Sequence, residues 1–324
     1  MNLTGIQKKA FVVIGRVGMD LTPTPAGTRT QDATTMMVAM GGSSANIAAG
    51  LCKLGCKAAL VTTVSDDSVG WYCLNQLDHY GIDRTHVRQT KGEVRTSLAV
   101  YETRIEQHQS VIYRNNAADF QMTVADVEAV DFARFGALIT TGTVFAAEPS
   151  RSAAFRAFDL ARAAGLTIVF DVDYRPYSWP SPEIAQQVLS RAGALSDVII
   201  GNDEEFGFMA GDIALGLTMA RQLADRGRIV VYKRGPLGSV TLADGQDITT
   251  GIYLVQAVKP TGAGDSFMAG FMASLAEGRP LTQAILRGSA CAAIVVAKPG
   301  CAPAMPDLSE LEAFLASHPG VTES

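Results

Sequence analysis

Cysteine is scarce in this chain, and long apolar runs are missing. The five cysteines, Cys52, Cys56, Cys73, Cys291 and Cys301, are odd in number and include no CxxC pair. That argues against a disulfide framework or a zinc ribbon and points to a reduced, cytoplasmic protein with mostly buried thiols. Four histidines, His79, His86, His108 and His318, show no metal-ligand spacing. A basic excess is missing too. Lys and Arg number 27 against 32 Asp and Glu, a net charge of −5, so the footprint of a nucleic-acid partner is lacking. Residues 1–9 are polar, and Phe11-Val12-Val13-Ile14 is too short for a signal sequence or a membrane span. No GxxxxGKS/T, no GxGxxG after a first strand and no GxSxG elbow occurs. These absences count against a P-loop enzyme, a dinucleotide fold and an α/β-hydrolase.

What is present is a globular composition, 324 residues with 48% hydrophobic and 18% charged, enough for one large domain and a small appendage. Buried-strand patterns at 11–15, 58–64, 137–141, 166–170, 198–200 and 229–233 alternate with helical ones. The helical patterns lie at 71–80, 149–164, 181–193, 215–226, 281–297 and 308–317. This alternation predicts an α/β fold, a mostly parallel sheet sandwiched by helices, with polar clusters gathered on the rim at the strand carboxyl ends. Residues 36–40 and the alternating stretch 94–114 predict a small separate β-layer.

Candidate chemistry concentrates in Lys259-Pro260-Thr261-Gly262-Ala263-Gly264-Asp265-Ser266-Phe267. It follows a β-like run at 251–258 and opens a helical pattern with Phe267, Met268, Phe271, Met272 and Leu275 on one face. Glycines at such a turn let backbone N–H groups approach a ligand, and a helix N-terminus favours negative charge. Asp265 stands in that positive end, which favours its ionised form. An anion cradle from Gly262, Ala263 and Gly264 beside a carboxylate base is what phosphoryl transfer needs. By itself the stretch fits a capped turn equally well.

Other clusters add to it. Asp20 follows the first strand. Gly41-Gly42-Ser43-Ser44-Ala45-Asn46 opens a helix through Ile47, Leu51 and Leu54. Its glycines permit close approach, and Asn46 offers a donor and an acceptor to a polyol. Arg114 and Arg175 each follow a strand-like run and have aromatic neighbours. A guanidinium fork matches a carboxylate with two parallel hydrogen bonds, so they are candidates for an acidic substrate.

In these segments the chain resembles the ribokinase-like (PfkB) carbohydrate kinases. The Gly41–Asn46 and Thr261–Phe267 segments look like the two signatures of that family. Asn202-Asp203-Glu204-Glu205 fits its NxxE element, and Lys233-Arg234-Gly235-Pro236-Leu237-Gly238 its nucleotide turn. The match runs from Phe11 to about Leu315. The runs at 113–119, 171–179 and 300–306 resemble a sugar-acid branch of the family. The resemblance implies a single domain over residues 1–324, with lid segments near 16–40 and 93–116. It implies ATP along Asn202, Lys233, Gly235, Gly238, Gly264 and Ser289, and a sugar acid on Asp20, Gly41, Gly42, Asn46, Arg114 and Arg175. Asp265 would be the base, and Glu205 would reach Mg2+ through water. A homodimer through the lid is a further implication. Lys259 stands where the signature usually has Asp, which leaves a monovalent-cation site open. Alternatives are another sugar or sugar-acid kinase, such as a 2-keto-3-deoxygluconate kinase or a fructokinase, and a catalytically silent sugar-binding protein.

Overall fold

A computed structural model describes residues 3–104, 107 and 109–322; His108, and the lid positions 105 and 106, lie outside the described residues. Thirteen strands are described. They are β1 (Ala10–Ile14), β2 (Gly18–Thr24), β3 (Thr35–Gly41), β4 (Lys57–Ser65), β5 (Val87–Thr90), β6 (Leu98–Tyr101), β7 (Ser110–Tyr113), β8 (Ala137–Thr141), β9 (Thr167–Asp171), β10 (Val198–Asn202), β11 (Ile229–Lys233), β12 (Ser239–Ala243) and β13 (Gln246–Thr250). Nine of them form one sheet in the order β13-β12-β11-β10-β9-β8-β1-β4-β5, parallel from β11 to β5 and antiparallel at β11–β12 and β12–β13.

The central strands are apolar without alternation because both faces are covered. Along β1, Phe11 and Val13 face one core, and Val12 and Ile14 the other. The first core packs under α1 (Ser43–Lys53) and α2 (Ser68–His79). The second packs under α3 (Val124–Glu128), α4 (Ser150–Ala163), α5 (Pro182–Leu195), α6 (Asp203–Ala210) and α7 (Gly216–Ala224). The first face is completed by α8 (Ala263–Ala276), α9 (Leu281–Val296) and α10 (Leu308–Ser317). The chain leaves β1 for β4 on one side, and β8 lies on the other. Strand order therefore reverses at β1, the kind of crevice in which open α/β sheets hold ligands.

A second sheet, β3-β2-β6-β7, stands apart from the first, within the stretches expected to form a lid. Period-2 alternation gives it two unlike faces. Asp20, Thr22, Ala39, Ala99 and Tyr101 are buried, while Met36, Val38, Val111 and Tyr113 are exposed.

Three readings need correction. The run 251–258 is irregular chain, not a strand: the sheet ends at β13, and Ile252 bonds instead to Thr322, its carbonyl accepting at 2.9 Å and its N–H donating at 3.0 Å. Asp20 does not simply follow β1; it is the third residue of β2, paired with Ala39. The hairpin β12–β13 was not anticipated, although its two-residue turn, Asp244-Gly245 with φ of 50° and 74°, carries a strong local signal.

One close approach sets the geometry of the rim. At Gly50 on α1, a Cβ would stand 2.6 Å from the Ala269 Cβ on α8. Asn46 lies one turn before Gly50, and Asp265 one turn before Ala269, so the same contact aligns them. Gly50→Val should force the helices apart, costing about 1–3 kcal/mol as overpacking does. We expect a lower urea midpoint together with a lower kcat; wild-type values for both would mean that the helices have room.

Candidate active site

Asp265 is the third residue of α8, after Gly262, whose φ of 87° closes the turn into the helix. A Cβ on Gly262 would crowd the Cys301 sulfur at 3.0 Å, so a side chain is opposed there by both space and backbone. The first N–H groups of a helix have no acceptor within it, so Ala263 and Gly264 present donors at its positive end. Asn46 Nδ2 donates to Asp265 Oδ2 at 2.8 Å. Burial pushes the Asp265 carboxyl up to about 6, and Asp173 pushes the same way; Asn46, Arg175 and Lys233 oppose them. Burial therefore outweighs the helix end in direction, yet the carboxylate is still mostly ionised at pH 7.

A cavity of about 480 Å3 opens beside this helix end. Lys233, Gly235, Gly238, Gly264 and Ser289, five of the six residues expected along ATP, line it. Its walls include Ile252, Leu254 and Val255 from the irregular 251–258 segment, which suits a flat apolar ring. The Lys233 ammonium lies against Gly264, where a Cβ would stand 3.4 Å from Nζ. Asn202 is not on the cavity wall. It caps α6, accepting the Glu205 N–H at 2.8 Å.

Glu205 closes that capping box, and its two oxygens hold different segments. Oε2 accepts the Asn202 N–H at 2.8 Å, and Oε1 the Tyr174 N–H at 3.2 Å. It thus ties the turn after β9 to the start of α6. That turn carries Asp173, a non-glycine residue with φ of 36°, a conformation that folded chains concentrate at functional sites. Asp173 accepts from Ser43 Oγ at 3.0 Å and Thr143 Oγ1 at 3.4 Å, and pairs with Arg175 at 2.9 Å. Asp171 lies nearby, its carboxyl pushed up by burial against the pull of Lys233. Among the described residues, no three His, Cys, Asp or Glu side chains converge as a ready metal-ligand set.

On the lid side, Gly41 and Gly42 have steric reasons. A Cβ on Gly41 would stand 1.9 Å from Asp20 Oδ1, and one on Gly42 2.4 Å from the Arg16 carbonyl. Asp20 Oδ1 and Asn46 Oδ1 are buried acceptors without a protein partner. Burial pushes Asp20 up to about 6, against Arg16 and Lys259.

The two arginines expected on a carboxylate differ. Arg114 is buried, paired with Asp119, donating to the Thr143 carbonyl at 3.3 Å and stacked 4.2 Å over Phe120. Arg175 pairs with Asp173, but its side chain is 47% exposed. Sequence reading did not single out Asp173, Ser43, Thr143 or Arg16. Asp173 and Thr143 were signalled only by their place just past β9 and β8.

Comparison with known proteins identifies the family. Residues 8–308 match the pfkB family carbohydrate kinase model. A 5-dehydro-2-deoxygluconokinase of Geobacillus kaustophilus is 36% identical over 95% of this chain and 94% of its own. One of Photobacterium profundum is 37% identical over 94% of each. A fructokinase of Vibrio cholerae O395, solved with fructose, ADP and a calcium ion, superposes with a TM-score of 0.84 at 23% identity, over 95% of this chain and 99% of that one. The family match over residues 8–308 and these likenesses lead to one conclusion: the chain belongs to the pfkB family of carbohydrate kinases.

Proposed function

We propose that this kinase transfers the γ-phosphoryl group of ATP to the terminal hydroxyl of 5-dehydro-2-deoxy-D-gluconate, giving the 6-phosphate. The observation that carries the reading is the carboxylate of Asp265, held by Asn46 at the N-terminus of α8 beside the cavity. The names of the relatives at 36% and 37% identity support the substrate. ATP occupies the cavity, with its phosphates toward Lys233 and Gly264. The sugar lies between Asp265 and the lid, where Asp20 and Asn46 accept from its hydroxyls. Mg2+ neutralises charge along the phosphates. Glu205 acts on it through water, since both carboxylate oxygens already hold backbone N–H groups. The excess of acids there, Asp171, Asp173, Glu205 and Asp265 around Lys233 and Arg175, suits a hydrated cation. Closure of the lid excludes water, which limits idle ATP hydrolysis. The exposed lid face of Met36, Val38, Val111 and Tyr113 is assigned to a second copy of the chain. Val111→Asp should then turn a sedimenting dimer into a monomer; a wild-type monomer would remove this contact.

Coupled ADP release across 5-dehydro-2-deoxy-D-gluconate, 2-keto-3-deoxygluconate, fructose and ribose tests the reaction. The first should give the highest kcat/KM, and no turnover with any sugar acid would sink the proposal. Asp265 takes the proton of the attacking hydroxyl. Asp265→Asn keeps a hydrogen bond to Asn46 but accepts no proton, so kcat should fall by roughly 10²–10⁴ with little change in KM. Because the base must be deprotonated, the wild-type kcat/KM should decline as pH falls through about 6, the value to which burial raises Asp265. A flat profile down to pH 5 would place the base elsewhere.

The arginines separate in the same assay. Arg175→Ala should weaken sugar-acid binding by about 1.5–3 kcal/mol and leave ATP affinity nearly unchanged. Arg114→Ala leaves Asp119 buried and unpaired, so it should destabilise the fold by about 3–5 kcal/mol, seen as a lower melting temperature. A stable Arg114→Ala protein that lost only sugar affinity would reverse the two roles.

A further inference from the structure

Lys259 is 1% exposed, among the largest fully buried side chains of the molecule. A buried ammonium is costly unless something engages it. This one donates to the carbonyl oxygen of Thr261, two residues on; burial pulls its pKa down, and Cys301, Asp265 and Asp20 around it oppose that fall. Its own backbone N–H is fixed on the Val296 carbonyl at the end of α9, at 3.3 Å. The following Pro260 stiffens the link. The ammonium is therefore a fixed charge, anchored beneath the turn that enters α8.

The Thr261–Gly262 peptide is trans, so its C=O and N–H point in opposite directions. A cation held on the Thr261 oxygen fixes the orientation of the Gly262 N–H on the other edge of the peptide. Hydrogen bonds in series also polarise one another, which strengthens that N–H as a donor to an anion. Cys301 and Val295 pack against the same turn and leave no space for a Cβ at Gly262. The lysine contact and this packing together hold the peptide.

We propose that Lys259 is a positioning residue for phosphoryl transfer, a tethered monovalent cation that holds the anion cradle in its active orientation and makes an added alkali cation unnecessary. The proposal rests on the kinase reading above. It differs from a structural role in one respect: its charge, not its stem, is what the turn requires. A small monovalent cation should then replace it.

The tests use the full-length protein. Wild-type kcat should stay within about twofold when potassium is exchanged for choline at constant ionic strength, whereas activation of more than about threefold would overturn the proposal, since each tenfold is only 1.4 kcal/mol. Lys259→Ala should lose about 10–100-fold in kcat, at or below the scale of one lost oxyanion donor, with KM for both substrates within about threefold. Ammonium or potassium chloride, but not choline chloride, should restore at least about fivefold of that loss, a change of roughly 1 kcal/mol. A loss that no cation restores, or an unaffected variant, would leave Lys259 as packing and overturn the proposal. Should Lys259→Ala not fold, Lys259→Met keeps the stem, removes the charge and leaves no room for a cation: kcat should fall by a similar factor without rescue, and wild-type kcat in that variant would overturn the proposal. A second readout needs no turnover: the melting temperature of Lys259→Ala should rise with ammonium or potassium, and that of the wild type should not. No turnover in the wild type would sink the kinase reading, and the melting experiment would still judge Lys259.

Discussion

The contact between α1 and α8 is the constraint on which the site depends. Gly50 lets the two helices meet where any side chain would hold them apart. One turn earlier on each helix, Asn46 and Asp265 then fall within hydrogen-bond distance. Both helices begin at the same rim, so the cradle at the start of α8 faces the residues that open α1. A close-packed core transmits such a fit rigidly, because neither helix can shift without opening a void.

The second organising feature is a balance of charge among partly and fully buried groups. Asp265, Asp173, Asp171 and Glu205 gather near Lys233 and Arg175. Burial raises Asp265 and Asp171, and the cations restrain the rise. A carboxyl raised to about 6 is a stronger proton acceptor than an exposed one and still ionised at neutral pH, the compromise that the proposed base role of Asp265 calls for. The same group of acids and bases shows why Glu205 has a structural duty as well. It holds the Tyr174 N–H, and with it the turn that presents Asp173 and Arg175.

The lid contributes through alternation alone. Along β2, Asp20 and Thr22 point to the buried face, with Ala39 and Ala99 opposite Asp20. A slip of one residue would turn Asp20 to solvent. Gly41 and Asp20 depend on each other in the same way, since a side chain at 41 would displace the carboxylate.

Much of this was legible in the sequence, because it is local. The apolar runs of β1, β8 and β11 report burial on both faces, and the Gly-Ala-Gly-Asp turn reports a helix start with an acid in it. Strand carboxyl ends gather on one rim in any mostly parallel sheet, so Asp265, Asn46, Lys233, Gly235 and Gly238 could be proposed as neighbours. What sequence could not supply was pairing between distant segments. That Arg114 is already matched by Asp119, that Arg175 shares Asp173 with Ser43 and Thr143, and that 251–258 bonds to Thr322 instead of joining the sheet depend on which chains lie side by side. Local propensity carries no record of such partners. Lys259 shows the division most clearly: sequence alone marks a basic residue before a glycine turn, and only the packing around it turns that residue into a buried charge on the Thr261 carbonyl.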